Sequence, residues 1–293
     1  MADLLLNLAR LTRPLSSVKN IAVVSLALYL SSSQLNLGLF ILGVFSLSLT
    51  FSATYAYNSV CDMAADEENE NKKRYFYSVQ YFGKNKALAI AVVLAIIALV
   101  VGFLINIYFF ASLIVLLIIS FLYSSPYTRF KEKIIVDVVF GASLTFLFRF
   151  VAAWLIFENS FPPLLPMFAL VFVKNGGYML YKGYDKPFLI KRGVKNTTTL
   201  LSQKTTLIIS AVFFILSILF FLLLCLNSIY SNIDILGSLP ISFLWLLPFF
   251  IPPIIVSYLL FLKKIKISSR RLRVAGFILL LLLTAAVLLT TRQ

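Results

Sequence analysis

Asn58, Asp62 and Asp66 stand four residues apart in Tyr57-Asn58-Ser59-Val60-Cys61-Asp62-Met63-Ala64-Ala65-Asp66-Glu67. A helix would carry all three on one stripe, because side chains four residues apart lie one turn above one another. Three oxygen donors along one face cannot hold a soft metal tightly. They suit Mg2+, which keeps several waters and takes one or two carboxylates together with phosphate oxygens of a substrate. An acidic loop in solvent is the plainer reading, since Glu67, Glu68 and Glu70 follow directly. The asparagine one turn inside an apolar run, where an amide is costly, favours a site.

A second set of polar residues has the same spacing. Lys174, Tyr178 and Lys182 also fall at i, i+4 and i+8. Lys174 lies about two turns inside an apolar run, where a charge is expected to have a partner or a task. Lysines here would hold an anionic substrate's phosphates as point charges, with snorkelling the plainer reading for Lys182. Arg149, set in Phe146-Leu147-Phe148-Arg149-Phe150, must pair within a bundle or contact a ligand phosphate. Asp137 is too far along the same helix to serve as its local partner. The stretch Tyr123-Ser124-Ser125-Pro126-Tyr127-Thr128-Arg129-Phe130-Lys131 adds a basic, aromatic loop.

The elements that position these residues are membrane spans. The composition is 61% hydrophobic and 15% aromatic, well above a soluble domain. Long apolar runs predict about nine spans, near 18–34, 37–58, 87–107, 108–124, 134–157, 162–181, 206–228, 240–262 and 274–291. The run over 87–124 is too long for one crossing at about 1.5 Å per residue, and Asn106-Ile107-Tyr108 is the expected hairpin. Of the 26 Lys and Arg residues, all but Arg149, Lys174 and Arg292 fall on one side of this arrangement. That asymmetry places the N-terminus and the loops holding both clusters in the cytoplasm. The expected fold is therefore an all-α polytopic bundle forming a single integral-membrane domain over 1–293. No cleavable signal is expected, because Arg10, Arg13 and Lys19 precede the first run without a small-residue cleavage site after it.

Composition also excludes chemistries. There is no histidine, and Cys61 and Cys225 are the two cysteines, so imidazole catalysis, zinc clusters and a disulfide framework are not expected. The net charge of +15 does not indicate nucleic acid, because the cations cluster at the ends of apolar runs, where they meet anionic lipid. Asn196-Thr197-Thr198 fits a glycosylation sequon but falls on the cytoplasmic side, so it is set aside.

In this order the motifs resemble the UbiA superfamily of intramembrane prenyltransferases over nearly the whole chain. They are Arg13-Pro14 with Lys19-Asn20, the N-x-x-x-D-x-x-x-D of 58–66, and Tyr-Ser-x-Pro with Arg and Lys at 123–131. The Arg149 region, Tyr178-x-x-x-Lys182 and Gly-Val-Lys-x-Thr at 193–197 complete the set. The resemblance implies a lateral cavity for an isoprenoid chain, whose diphosphate is bound through Mg2+ on two aspartate motifs. Asn58, Asp62 and Asp66 would carry the first. The second is degraded: its first aspartate falls on Asp185, but Leu189 stands where a second is expected, and Phe188 precedes it. Lys182, Lys186 or Arg192 would supply counter-charge there. The family's Arg-Pro-Leu stretch is replaced by Arg74-Tyr75-Phe76-Tyr77.

The expected activity is Mg2+-dependent prenyl transfer from an isoprenoid diphosphate to a lipophilic acceptor. Asp62, Asp66, Asp185 and Tyr178 are the expected catalytic residues, and the metal would lie on Asp62, Asp66, Asn58 and Asp185. Asn58, Arg149, Lys174, Lys182, Lys19 and Arg129 would bind the diphosphate. The 28 Phe and 14 Tyr would line a pocket for the carbocation. Arg-Pro-x-x-x-Val-Lys-Asn at 13–20 also resembles the polyprenyl-phosphate phosphoribosyltransferase branch, in which the lipid would be acceptor and a sugar diphosphate the donor. Asp185 and the Gly-Val-Lys-x-Thr tail speak against that branch. A transporter or scaffold would predict repeated broken helices; Pro248, Pro252 and Pro253 interrupt one expected span, but no repeat is visible.

Overall fold

A computed structural model describes residues 2–31, 33–230, 233–241, 243–244 and 251–261, without the side chains of Ala2, Tyr184, Asp185 and Phe261. Among the described residues the regular structure is helical and contains no strand. Seven stretches are long and apolar enough to cross a membrane: Asp3–Ser31, Leu37–Cys61, Lys84–Ile105, Ile107–Ser124, Val136–Trp154, Leu164–Gly183 and Gln203–Tyr230. The expected eighth span overlaps the shorter apolar helix Ile251–Leu260. The ninth, over 274–291, lies outside the described residues, so the count of about nine rests partly on that segment.

The first stretch is two helices. Arg13 takes a left-handed conformation (φ 52°, ψ 53°) ahead of Pro14, and this breaks α1 (Ala2–Thr12) from α2 (Val18–Ser31). α1 is amphipathic: Leu4, Leu5 and Leu6 face outward, while Leu11 is fully buried beside Ala56, Val79 and Ala87. α3 (Leu37–Cys61) starts where Asn36 accepts the Leu39 N–H, an N-cap at the expected boundary. After Cys61 the chain stays mostly helical, through α4 (Met63–Glu68) and α5 (Lys73–Phe82), the latter packed on α1.

The hairpin between α6 (Lys84–Ile105) and α7 (Ile107–Ser124) turns on Asn106, as expected. Its extended backbone ends one helix, and its side chain accepts the Phe109 N–H to start the next. The fifth stretch comprises α8 (Val136–Val138), a π-helical segment over Val139–Leu144, and α9 (Thr145–Trp154). π-Bulges of this kind recur at functional sites. α10 (Leu164–Lys191) extends well past the predicted end at 181. Polarity rises there, but the helix stops only at Gly193, whose left-handed φ of 68° lets Val194 N–H reach the Leu189 carbonyl. α11 (Thr197–Leu200), α12 (Gln203–Tyr230) and α13 (Ile251–Phe261) follow. Pro252 and Pro253 lie within α13.

α3 packs most closely on α6, and α10 on α12. The central core joins Val23, Val24, Leu47, Phe51, Phe109, Leu113 and Phe150 from α2, α3, α7 and α9. The outward faces are also apolar, including Val92, Val93, Ile96 and Val100 on α6 and Ile208, Val212 and Ile215 on α12. Helices apolar on both faces belong in hydrocarbon. Hydroxyl groups stitch neighbours together, with Ser46 donating to the Ala98 carbonyl and Ser210 to the Gly176 carbonyl, each at 2.8 Å. Small residues let backbones approach closely. At Gly43 an added Cβ would lie 2.5 Å from Ile156 Cδ1 and within 3.0 Å of two more of its carbons. Gly43→Ala should therefore lower stability by about 1–3 kcal/mol despite better helix propensity. Ile156→Ala in the same chain should recover part of that loss, as read by thermal unfolding in detergent.

Candidate active site

The stripe predicted on 58–66 survives a break in the helix. α3 ends at Cys61 and Asp62 is its C-cap, yet Asp62 N–H still bonds the Asn58 carbonyl (2.9 Å) and Asp66 N–H the Asp62 carbonyl (2.8 Å). The one-turn spacing is thus kept. Asn58 Oδ1 accepts from Ser124 Oγ at 2.8 Å, which fixes the amide's orientation. Asp62 Oδ1 is paired with the ammonium of Lys131 from the loop between α7 and α8. Asp66 is almost fully buried, and that burial pushes its carboxyl up to about 6, against the opposing pull of Lys72.

That raised value has a definite consequence for the metal-free protein. Between 3.8 and about 6 the folded state keeps a proton that the unfolded chain has released. Folding stability must then fall as pH rises through this window, by at most about 3 kcal/mol. Unfolding midpoints measured in detergent at pH 5 and pH 7.5 should show the drop, and Asp66→Asn should flatten it. A divalent cation supplied together with diphosphate should remove the penalty at the higher pH, because it favours the ionised carboxylate.

The loop that delivers Lys131 is tightly bound. Arg129 and Ile135 both sit at positive φ (45° and 65°), backbone strain of the kind retained where surroundings over-determine a conformation. The Arg129 guanidinium is spent on Glu132, so the expected diphosphate ligand points along its own loop and Lys131 reaches the motif instead. Asn196 Nδ2 donates to the Lys131 carbonyl at 3.4 Å, and Thr197 Oγ1 donates to the fully buried Asp137. Asp137 also faces the Tyr178 hydroxyl at 3.3 Å, which lies 3.2 Å from the Tyr123 hydroxyl. The segment after α10 therefore clasps the loop before α8.

The second stripe forms only in part. Lys182 Nζ lies 5.4 Å from the centre of the Tyr178 ring, as their spacing requires. Lys186 donates to the Leu201 carbonyl, and Arg192 stands 3.8 Å from Glu68, so both are engaged away from the first motif's aspartates. Phe188 and Leu189 lie on the helical extension of α10. Asp185 belongs to the same helix, but its side chain lies outside the described residues.

Deeper in the bundle, several cations gather around Tyr55. Tyr55 lies in the field of Lys19, Arg149 and Arg13, and Lys174 in that of Lys19 and Arg149. Arg149 is 4% exposed and stacks on Phe51 at 3.7 Å. Arg13 stacks on Tyr75 at 3.7 Å and donates to Ser59 at 3.0 Å. The Nε atoms of both arginines are buried without a hydrogen-bond partner among the described residues, as is Asn20 Oδ1. Three cations around Tyr55, and Lys174 in the field of two of them, with no described carboxylate paired to Arg149 or Lys174, are arranged for an anion.

Sequence reasoning does not give Lys131 as the partner of Asp62, Ser124 as that of Asn58, or Thr197 and Tyr178 as those of Asp137. Lys131 was marked only as part of a basic loop. Asn196 carries a recognisable signal, since its side chain and that of Thr199 form a capping box at the start of α11. Among the described residues no three carboxylate or thiol groups converge as a ready-made metal cage. The donors of the first motif instead suit a hard cation that completes its shell with water and substrate oxygens.

Among the described residues, a bundle of seven apolar helical stretches long enough to cross a membrane, with a carboxylate stripe at one end, defines an integral-membrane protein. The model of the UbiA prenyltransferase family matches residues 20–283, and the chain belongs to that family. Its fold is similar to a UbiA homologue from Archaeoglobus fulgidus bound to DMAPP and Mg2+ (18% identity, TM-score 0.73, covering 96% of this chain and 98% of that one). The same homologue bound to GPP and Mg2+ gives 18% identity and a TM-score of 0.72, over 96% and 98% of the two chains. The apo UbiA homologue from Aeropyrum pernix K1 gives 17% and 0.73, over 95% and 98%. No curated protein sequence matches the chain significantly.

Proposed function

We propose that this protein transfers a prenyl group from an isoprenoid diphosphate to a lipophilic acceptor within the membrane. The observation that carries this reading is the Asn58-Asp62-Asp66 stripe, held by Ser124 and Lys131 at one end of the bundle. Asp62 and Asp66, with Asn58 and Asp185, would hold Mg2+, which when bound supplies the positive charge that a departing diphosphate requires. Lys131, and Lys182 of α10, would add cationic donors to the diphosphate oxygens. The bond between the prenyl C1 and the diphosphate oxygen breaks with its electron pair leaving on oxygen. The acceptor's nucleophile then forms its bond to C1 and gives up its proton. Tyr178, oriented by Asp137 and Tyr123, would face the acceptor.

The neighbours bound to DMAPP, GPP and Mg2+ support the donor class, and the positive-inside charge pattern supports a cytoplasmic location for the stripe. The cluster of Arg13, Lys19, Arg149 and Lys174 favours a second reading, in which a lipid phosphate is the acceptor and a phosphoribosyl diphosphate the donor. Two anions would then need two separate sites. Incubating the purified protein with Mg2+, labelled prenyl or phosphoribosyl diphosphate and a panel of acceptors separates them. Product from the prenyl donor supports the first reading; product from the sugar donor alone replaces it with the second.

A further inference from the structure

The partner that Asp62 has in the metal-free protein is a lysine, and the surroundings of that lysine single it out. Lys131 is 8% exposed, and its ammonium pairs with Asp62 across 69 residues of sequence. Every neighbouring cation of its loop is engaged elsewhere: Arg129 on Glu132, and Lys133 over the Phe130 ring at 5.0 Å. The loop's backbone is fixed by Glu132 N–H to the Arg129 carbonyl (2.8 Å), Lys133 N–H to the Phe130 carbonyl (3.1 Å) and Asn196 to the Lys131 carbonyl. What can move is the side chain, a compact charge on a flexible four-carbon stem.

We propose that Lys131 is a tethered counter-ion that holds Asp62 in the empty protein, keeps a divalent cation off it, and passes to the incoming diphosphate, so that cation and diphosphate are taken up together. This rests on the reading of Asp62 and Asp66 as the cation site. The logic is one of charge. A lone divalent cation approaching Asp62 meets an ammonium already bound there, and displacing it would strand a buried charge. A diphosphate removes that obstacle, because it offers Lys131 a second anion within reach of its stem while bringing oxygens for the cation. A cation site that closes only with its substrate also avoids holding a metal with open positions against water.

Mn2+ binding followed by electron paramagnetic resonance tests this without turnover. Without diphosphate, Lys131→Met should bind Mn2+ at least about tenfold more tightly than the natural protein, a gain of about 1.4 kcal/mol, and Lys131→Arg should not. Capture of labelled inorganic diphosphate in the presence of Mn2+ should fall in Lys131→Met. If Lys131→Met fails to fold, Lys131→Gln carries the same expectation. A purely structural ion pair predicts lower stability with no gain in Mn2+ affinity. Unchanged affinity in Lys131→Met, with binding still abolished by Asp62→Asn, overturns the counter-ion role and leaves the metal-site reading standing. Mn2+ binding that ignores both Asp62→Asn and Asp66→Asn sinks that reading and the counter-ion role together.

Discussion

Asp62→Ala should abolish metal-dependent transfer, a fall of about 10³-fold or more, since charge stabilisation at a leaving group is worth at least as much as one oxyanion donor. Asp62→Asn should be nearly as damaging, because an amide keeps a donor oxygen but not the charge. The loss needs separating from instability. Removing Asp62 strands the Lys131 ammonium at a site where both side chains are largely buried, at a cost of about 3 kcal/mol. Adding Lys131→Met to Asp62→Ala should therefore restore much of the unfolding midpoint while leaving activity absent. Recovery of activity in the double variant would show that Asp62 serves the fold rather than the chemistry.

The membrane architecture was legible because hydrophobic length is written directly into the chain. The hairpin at Asn106 was legible for a related reason, since an asparagine inside an apolar run has to do local work, and here it caps α7. Boundaries based on polarity failed where helices leave the membrane. α10 continues through Pro187 to Lys191, and its end is set by the left-handed Gly193 rather than by the rise in polarity near 181. The first expected span starts at 18, where α2 begins, and the break before it is made by a left-handed Arg13 ahead of Pro14.

The site was legible where its members share one helix. Asn58, Asp62 and Asp66 could be grouped by period alone, and Tyr178 with Lys182 likewise. Contacts between segments far apart in sequence could not. That Lys131 rather than Arg129 meets Asp62 depends on a strained loop whose positive-φ residues carry no glycine signal. That Asp137 serves Thr197 and Tyr178, not Arg149, follows from the clasp between two connections. Sequence gives the inventory of charges, whereas partner choice is settled by tertiary geometry.

Lys174→Met and Arg149→Met should move stability and function in opposite directions. The cluster around Tyr55 brings like charges together out of water. Two unit charges about 6 Å apart at an effective dielectric near 20 repel by about 3 kcal/mol. Removing either one should therefore raise the unfolding midpoint of the ligand-free protein, a gain of about 1 kcal/mol after lost stacking and packing are set against it. The larger effect should fall on the substrate whose anion the cluster receives, with kcat/KM down by about 10²-fold for each variant and more for Arg149, whose guanidinium is the better buried. If the cluster receives an acceptor's anionic group, the KM of the acceptor rises while the donor's is little changed, and a neutral acceptor of the same size is unaffected. If it receives the donor diphosphate, the donor's KM and its Mg2+ dependence change instead. Loss of stability together with equal losses for all substrates would show that Arg149 and Lys174 only pack the bundle.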